Sequence, residues 1–134
     1  MTTEEIKTLF SNCHSKEESF RALVKISKTL NRLETEFKTD KNAVTGCESQ
    51  VWLSAKVDKV TGFWHFQADS DAKLIRGFLA IILAYVEGLN SQQIQQLDIL
   101  SSLSELKLDA YLTSSRNNGI HAIITRIQQL VSLN

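Results

Sequence analysis

Two thiols, Cys13 and Cys47, are the residues best suited to nucleophilic chemistry, and they stand in different company. Cys47 lies in Gly46-Cys47-Glu48-Ser49-Gln50-Val51-Trp52, directly after a glycine that can adopt backbone angles closed to other residues and lets a partner come close. The reactive form of such a group is the thiolate, and the motif supplies no adjacent Lys, Arg or His to favour it. Two readings stay open on the residues alone: an attacking thiol activated from elsewhere, or a small buried cysteine at the start of a strand. Cys13, near the end of a first helical pattern and without a preceding glycine, reads as a packing residue.

Other chemistries find less support. His14, His65 and His121 contain no pair at the i, i+4 spacing of helical metal ligands, and there is no Cys-x-x-Cys, so no metal or cofactor site is expected. Either His65 or His121 could fold near Cys47 as in a cysteine protease, but spacing gives that arrangement no support. Trp52, Phe63, Trp64 and Phe66 could stack bases, yet no basic patch accompanies them and aromatic residues on paired strands are usual packing. Ser115-Arg116-Asn117-Asn118-Gly119, heading the last helix, could hold an anion on free N–H groups and Arg116, or could simply cap the helix.

The elements that position these residues follow from periodicity. Residues 4–12 read as a helix, and Ser15-x-x-Glu18 as a capping box opening a second one with Phe20, Leu23, Val24 and Leu30 on one face. Periodicity vanishes from Asn31 to Thr45, which reads as a loop leading to Cys47. Val51, Leu53, Ala55 and Val57 alternate with polar residues, broken only by Trp52, and residues 63–68 return as a second strand of an antiparallel hairpin. Asp69-Ser70-Asp71 supplies N-cap candidates for the apolar helix Leu74–Val86, which ends at Gly88. Within it Gly77 requires a close approach to justify its cost, and Arg76 can snorkel or pair with Asp69 or Asp71. Short helices are expected over 91–97 and 101–107, then a last helix capped by Ser114 or Ser115 and bearing Ile120, Ile123, Ile124, Ile127, Leu130 and Val131. The expected fold is α+β, a small antiparallel β-sheet packed against several helices, as one domain over residues 1–134.

Composition agrees with an ordinary globular chain: 43% hydrophobic, 22% charged, with 15 basic and 15 acidic residues. That balance argues against nucleic acid as a partner. The longest apolar run, Phe78 to Val86, falls short of the ~20 residues a membrane span needs, so no membrane partner is expected. With no secretory leader pattern at Met1–Glu5, the cytoplasm is the default location.

Four motifs in order carry a resemblance: Val44-Thr45-Gly46-Cys47-Glu48-Ser49-Gln50-Val51-Trp52, Asp69-Ser70-Asp71, Arg76-Gly77 inside the apolar helix, and Ser115-Arg116 with Gly119. Together they resemble the SufE family of sulfur acceptors, and within it the CsdE branch, over nearly the whole chain. The resemblance implies a fold similar to IscU-type cluster scaffolds and an acceptor cysteine, here Cys47, on a loop that must move to expose it. It implies an accessory protein, not an enzyme, that accepts persulfide sulfur from a pyridoxal-phosphate cysteine desulfurase and stimulates its turnover. The sulfur would pass to iron–sulfur cluster assembly or another downstream acceptor. Gly46, Asp71 and Arg116 fall at positions implied to contact the partner or control the acceptor loop. Leu33–Lys38 lacks the prolines usual in that family before the cysteine.

Overall fold

The computed structural model describes residues 1–132. Helices α1 (Thr3–Ser11) and α2 (Lys16–Ser27) lead through a long loop, with one 3-10 turn at Thr35–Phe37, to strands β1 (Val51–Val57) and β2 (Trp64–Ser70). Then come α3 (Lys73–Val86), α4 (Ser91–Gln96), α5 (Ile99–Glu105), a 3-10 turn at Asp109–Tyr111 and α6 (Ser114–Ser132). This is the expected α+β arrangement, with the strands forming one antiparallel sheet registered from Val51↔Ser70 to Val57↔Trp64.

The pleat sorts the hairpin into two faces. Val51, Leu53, Trp64, Phe66 and Ala68 turn inward onto α3, whose Phe78, Leu79, Ile81, Ile82 and Val86 are fully enclosed. Trp52 does not break the alternation. It lies on the outer face opposite Asp69, half-buried because Lys38 sits 5.1 Å above its ring. Gly77 meets its requirement as well, since a Cβ there would stand 2.9 Å from the Leu23 carbonyl oxygen, so only glycine lets α2 and α3 approach this closely.

Several expectations are corrected. The second strand runs to Ser70, so Asp69 and Ser70 are strand residues and not helix caps; the position before α3 is Ala72, with no side-chain cap. Ser15 does cap α2 by accepting the Glu18 N–H (3.1 Å), but the Glu18 carboxylate takes the Ser15 hydroxyl in place of the reciprocal backbone bond. The buried face of α2 is Ala22, Leu23, Ile26 and Ser27. Leu30 lies beyond the helix end, Val24 is half-buried, and Phe20 is 44% exposed with its ring 6.4 Å from that of Tyr111. Helix α5 starts at Ile99 because Asp98 caps it, accepting from the Ser101 N–H. In α6 the first i→i+4 bond runs from Asn117 N–H to the Thr113 carbonyl, so the cap position is Thr113 and both serines are in the first turn.

Asp69 is completely enclosed. Its carboxylate pairs with Arg76, accepts from the Leu33 N–H (3.1 Å) and the Ser70 N–H (2.8 Å), and lies 3.4 Å from both Arg32 and Lys38. Arg76 spends its other nitrogen on the Ser27 and Leu30 carbonyls at 3.1 and 2.9 Å, which closes the end of α2 against α3. Burial alone would push the Asp69 carboxyl up; the Ser70 and Leu33 N–H groups, then Arg76 and Lys38, outweigh it and hold the group below the ordinary carboxylate range.

Asp69→Asn, which leaves the Arg76 guanidinium enclosed and unpaired, is expected to cost about 3–5 kcal/mol in urea denaturation. The carboxylate's contribution is full above the unfolded pKa of about 3.9 and is lost as the pH falls below that value through the lower folded one. The wild type should therefore lose stability across that acid window more steeply than the variant; equal acid slopes would show that Asp69 does not carry it.

Candidate functional site

The loop that carries Cys47 connects two rows of backbone bonds. Upstream, Asn42–Val44 adds to the edge of β1: the Val44 N–H donates to the Val51 carbonyl and the Leu53 N–H to the Asn42 carbonyl, both 2.8 Å. Downstream, Gln50 is clasped from the far strand. Its N–H donates to the Asp71 carboxylate (3.1 Å), and its carbonyl accepts from the Ser70 hydroxyl (2.7 Å) and the Asp71 N–H (3.4 Å). Ser70 also accepts the Ala72 N–H (3.2 Å), so one hydroxyl joins the loop to the entrance of α3. Residues 45–49 span the gap between these two roots.

Gly46 turns the loop at φ +95°, a conformation that strains any side chain. The turn drops Cys47 onto α6, where its thiol donates to the Gly119 carbonyl (3.6 Å) and packs against the Gly119 backbone. The thiol is half-buried in a cleft of about 380 Å³ lined by Glu48, Ser49, Lys73, Leu74, Ser115 and Arg116 among others. Burial pushes the Cys47 pKa up. Lys73 and Arg116 line the same cleft, with Arg116 anchored by donation to the Tyr111 carbonyl (3.0 Å). In this state Cys47 is a protonated thiol in reserve.

The structure thus gathers Gly46, Cys47, Asp71 and Arg116 around one loop and its cleft. The histidines stay away: none lines the cleft, and His65 pairs with Glu87 on the surface. Cys13 is half-buried just beyond α1, its thiol donating to the Leu9 carbonyl (3.4 Å), as a packing residue would. Among the described residues no three His, Cys, Asp or Glu side chains come together as a metal site. No helix among them is long and apolar enough to cross a membrane. A larger groove, about 580 Å³, runs beside Phe66, Leu33 and Leu83 but contains neither thiol nor histidine, so the smaller cleft is the one with chemistry in it. Sequence reasoning missed Ser70 as a clasp and the Gly119 carbonyl as the thiol's partner; the only signal was that both lie inside motifs already singled out.

Alkylation of Cys47 by iodoacetamide, followed by peptide mapping, should rise with pH about a midpoint above the ~8.5 of a free thiol. A midpoint at or below that of a cysteine peptide would contradict a desolvated resting thiol.

Residues 4–131 match the family model described as "SufE: Fe-S metabolism associated domain". The sulfur acceptor protein CsdE of Escherichia coli is 34% identical over 123 residues, covering 92% of this chain and 83% of that protein. An uncharacterised SufE-like protein of Rhizobium etli is 36% identical over 115 residues, covering 84% and 78%. The solution structure of a hypothetical protein from Thermus thermophilus shares the fold, with a TM-score of 0.76 at 17% identity over 98% of this chain and 96% of that one. With a family model spanning almost every residue and relatives matched across most of their length, this chain belongs to the SufE family.

Proposed function

We propose that Cys47 is a sulfur-accepting thiol that takes persulfide sulfur from a pyridoxal-phosphate cysteine desulfurase and passes it to iron–sulfur cluster assembly or another acceptor. The observation that carries this reading is the seating of the thiol on a clasped loop above a cleft, within a chain of the SufE family. The Cys47 thiolate attacks the outer sulfur of the desulfurase persulfide; a new S–S bond forms as the old one breaks, and the desulfurase cysteine leaves as a thiolate. Nothing is oxidised or reduced overall, so one thiol suffices. A second attack, by the downstream thiolate on the outer sulfur now held by Cys47, returns Cys47 to its starting form.

Since the thiol is half-buried against the Gly119 carbonyl, the loop must lift before the attack, and the clasp of Asp71 on Gln50 is the contact that controls this movement. Gly46 supplies the turn, and Arg116 presents a cation at the cleft where the partner's anionic persulfide would approach. The protein is accessory: it removes the desulfurase's sulfur and so stimulates its turnover. The chemistry requires reduced thiols, which places it in the cytoplasm.

Intact-mass measurement after incubation with a cysteine desulfurase and cysteine should show one added sulfur atom on the wild type and none on Cys47→Ser, whereas Cys13→Ser should load like the wild type. Undiminished loading of Cys47→Ser would refute the assignment.

A further inference from the structure

The loop's roots are explained by backbone bonds, but what keeps its middle closed is a short ledge on α6. Gly119, Ala122 and Arg126 stand three and four residues apart, on one side of the helix. Each meets the segment around Cys47. The Gly119 carbonyl accepts the thiol; the Ala122 methyl lies so near Gly46 that a Cβ there would be 3.3 Å away; Arg126 donates to the Lys41 carbonyl (3.3 Å) at the upstream end. Their neighbours Ile120, Ile123, Ile124 and Ile127 are bulky and turned into the core, so the loop around Cys47 rests on the two small residues of the ledge, Gly119 and Ala122. A glycine on the loop facing an alanine on the helix is nearly the closest approach that two backbones can make.

We propose that Ala122 is a positioning residue whose small side chain sets the closed seat of the acceptor loop and thereby the accessibility of Cys47. Gly46 has no side chain that could move aside, so extra atoms on residue 122 meet loop backbone. The Asp71 bond of the downstream clasp is exposed and can give way, whereas α6 is buried along its other face. The loop lifts, and the helix stays. The thiol then loses both its Gly119 partner and the desolvation that raises its pKa. This inference builds on Cys47 as the acceptor, but its test reads loop position without any desulfurase, so it can fail while the sulfur-acceptor reading stands, and the reverse.

Ala122→Ile is the sharper variant, because β-branching leaves few rotamers in which the added atoms avoid the loop; Ala122→Val is the smaller step. With both native cysteines retained, iodoacetamide labelling and peptide mapping should show Cys47 modified about tenfold faster in Ala122→Ile, the scale of a typical overpacking penalty expressed as a rate. Ala122→Val should lie between it and the wild type. The pH midpoint of Cys47 labelling should fall toward that of a free thiol while Cys13 labelling stays at the wild-type rate. An unchanged Cys47 rate, or a parallel rise at Cys13 that signals general loosening, would overturn the proposal; if the Ile variant does not fold, the Val variant decides by the same criteria.

Discussion

The enclosed pair of Asp69 and Arg76 is the constraint from which the rest of the structure follows. Taking both charges out of water is costly, and the cost is offset only because the surrounding groups are complete: two backbone N–H groups and Lys38 on the carboxylate, two carbonyls on the guanidinium. The partners come from β2, the end of α2 and the loop through Leu33, so the pair exists only when these and α3 are all in place. It also guards strand register. A slip of one residue would rotate Asp69 from the outer face into the apolar side beside Val51, Leu53 and Phe66, where nothing could satisfy it.

Two residues further on, Asp71 uses the same functional group to a different end. It is exposed, it holds one loop N–H, and such a bond contributes only about 1 kcal/mol net. Asp69 therefore belongs to the platform and Asp71 to the exposed attachment of the loop that carries Cys47. The loop carrying Cys47 is attached by a handful of bonds, the Asp71 one exposed, to a frame that opens only with the whole fold, the division of stability expected of a segment that can move locally. Ser70, between them, is buried and bonds both to the loop at Gln50 and to the start of α3, so it forms the boundary between the two regimes.

Much of this was legible in the residues. Alternation in Val51–Val57 marked β1, the apolar run marked α3, and Gly77 announced the close contact with Leu23. What misled was local chemistry that tertiary partners overrode. Asp69-Ser70-Asp71 has the composition of a helix cap, but Asp69 is claimed by Arg76 and by the N–H of Leu33, which is distant in sequence, so β2 continues through it. Phe20 follows the spacing of a buried stripe, yet its ring meets Tyr111 near the surface. Trp52 looked like an interruption because Lys38, which covers it, belongs to a loop with no periodicity to read. At the site, Cys47 and Gly46 stood out by type and order, but the ledge of Gly119 and Ala122 is made of backbone and a methyl group, which carry almost no signature in one sequence.

If Cys47 is the acceptor proposed above, its burial on α6 gives the loop a role in both directions of sulfur transfer. While closed, Cys47 is protonated, so it is a weak nucleophile and resists stray oxidation, which follows thiolate character and exposure. Once lifted it returns to the ordinary thiol range, where the thiolate fraction at neutral pH is small but each thiolate is strongly nucleophilic, since nucleophilicity falls with pKa. Release of sulfur to a downstream thiol requires Cys47 to depart as a thiolate, and a desolvated cysteine with a raised pKa is a poor leaving group. The closed seat therefore disfavours premature loss of the outer sulfur for the same electrostatic reason that it disfavours premature attack. In the proposed relay, lifting the loop relieves both at once, so a single movement past the Asp71 clasp would gate receipt and delivery alike.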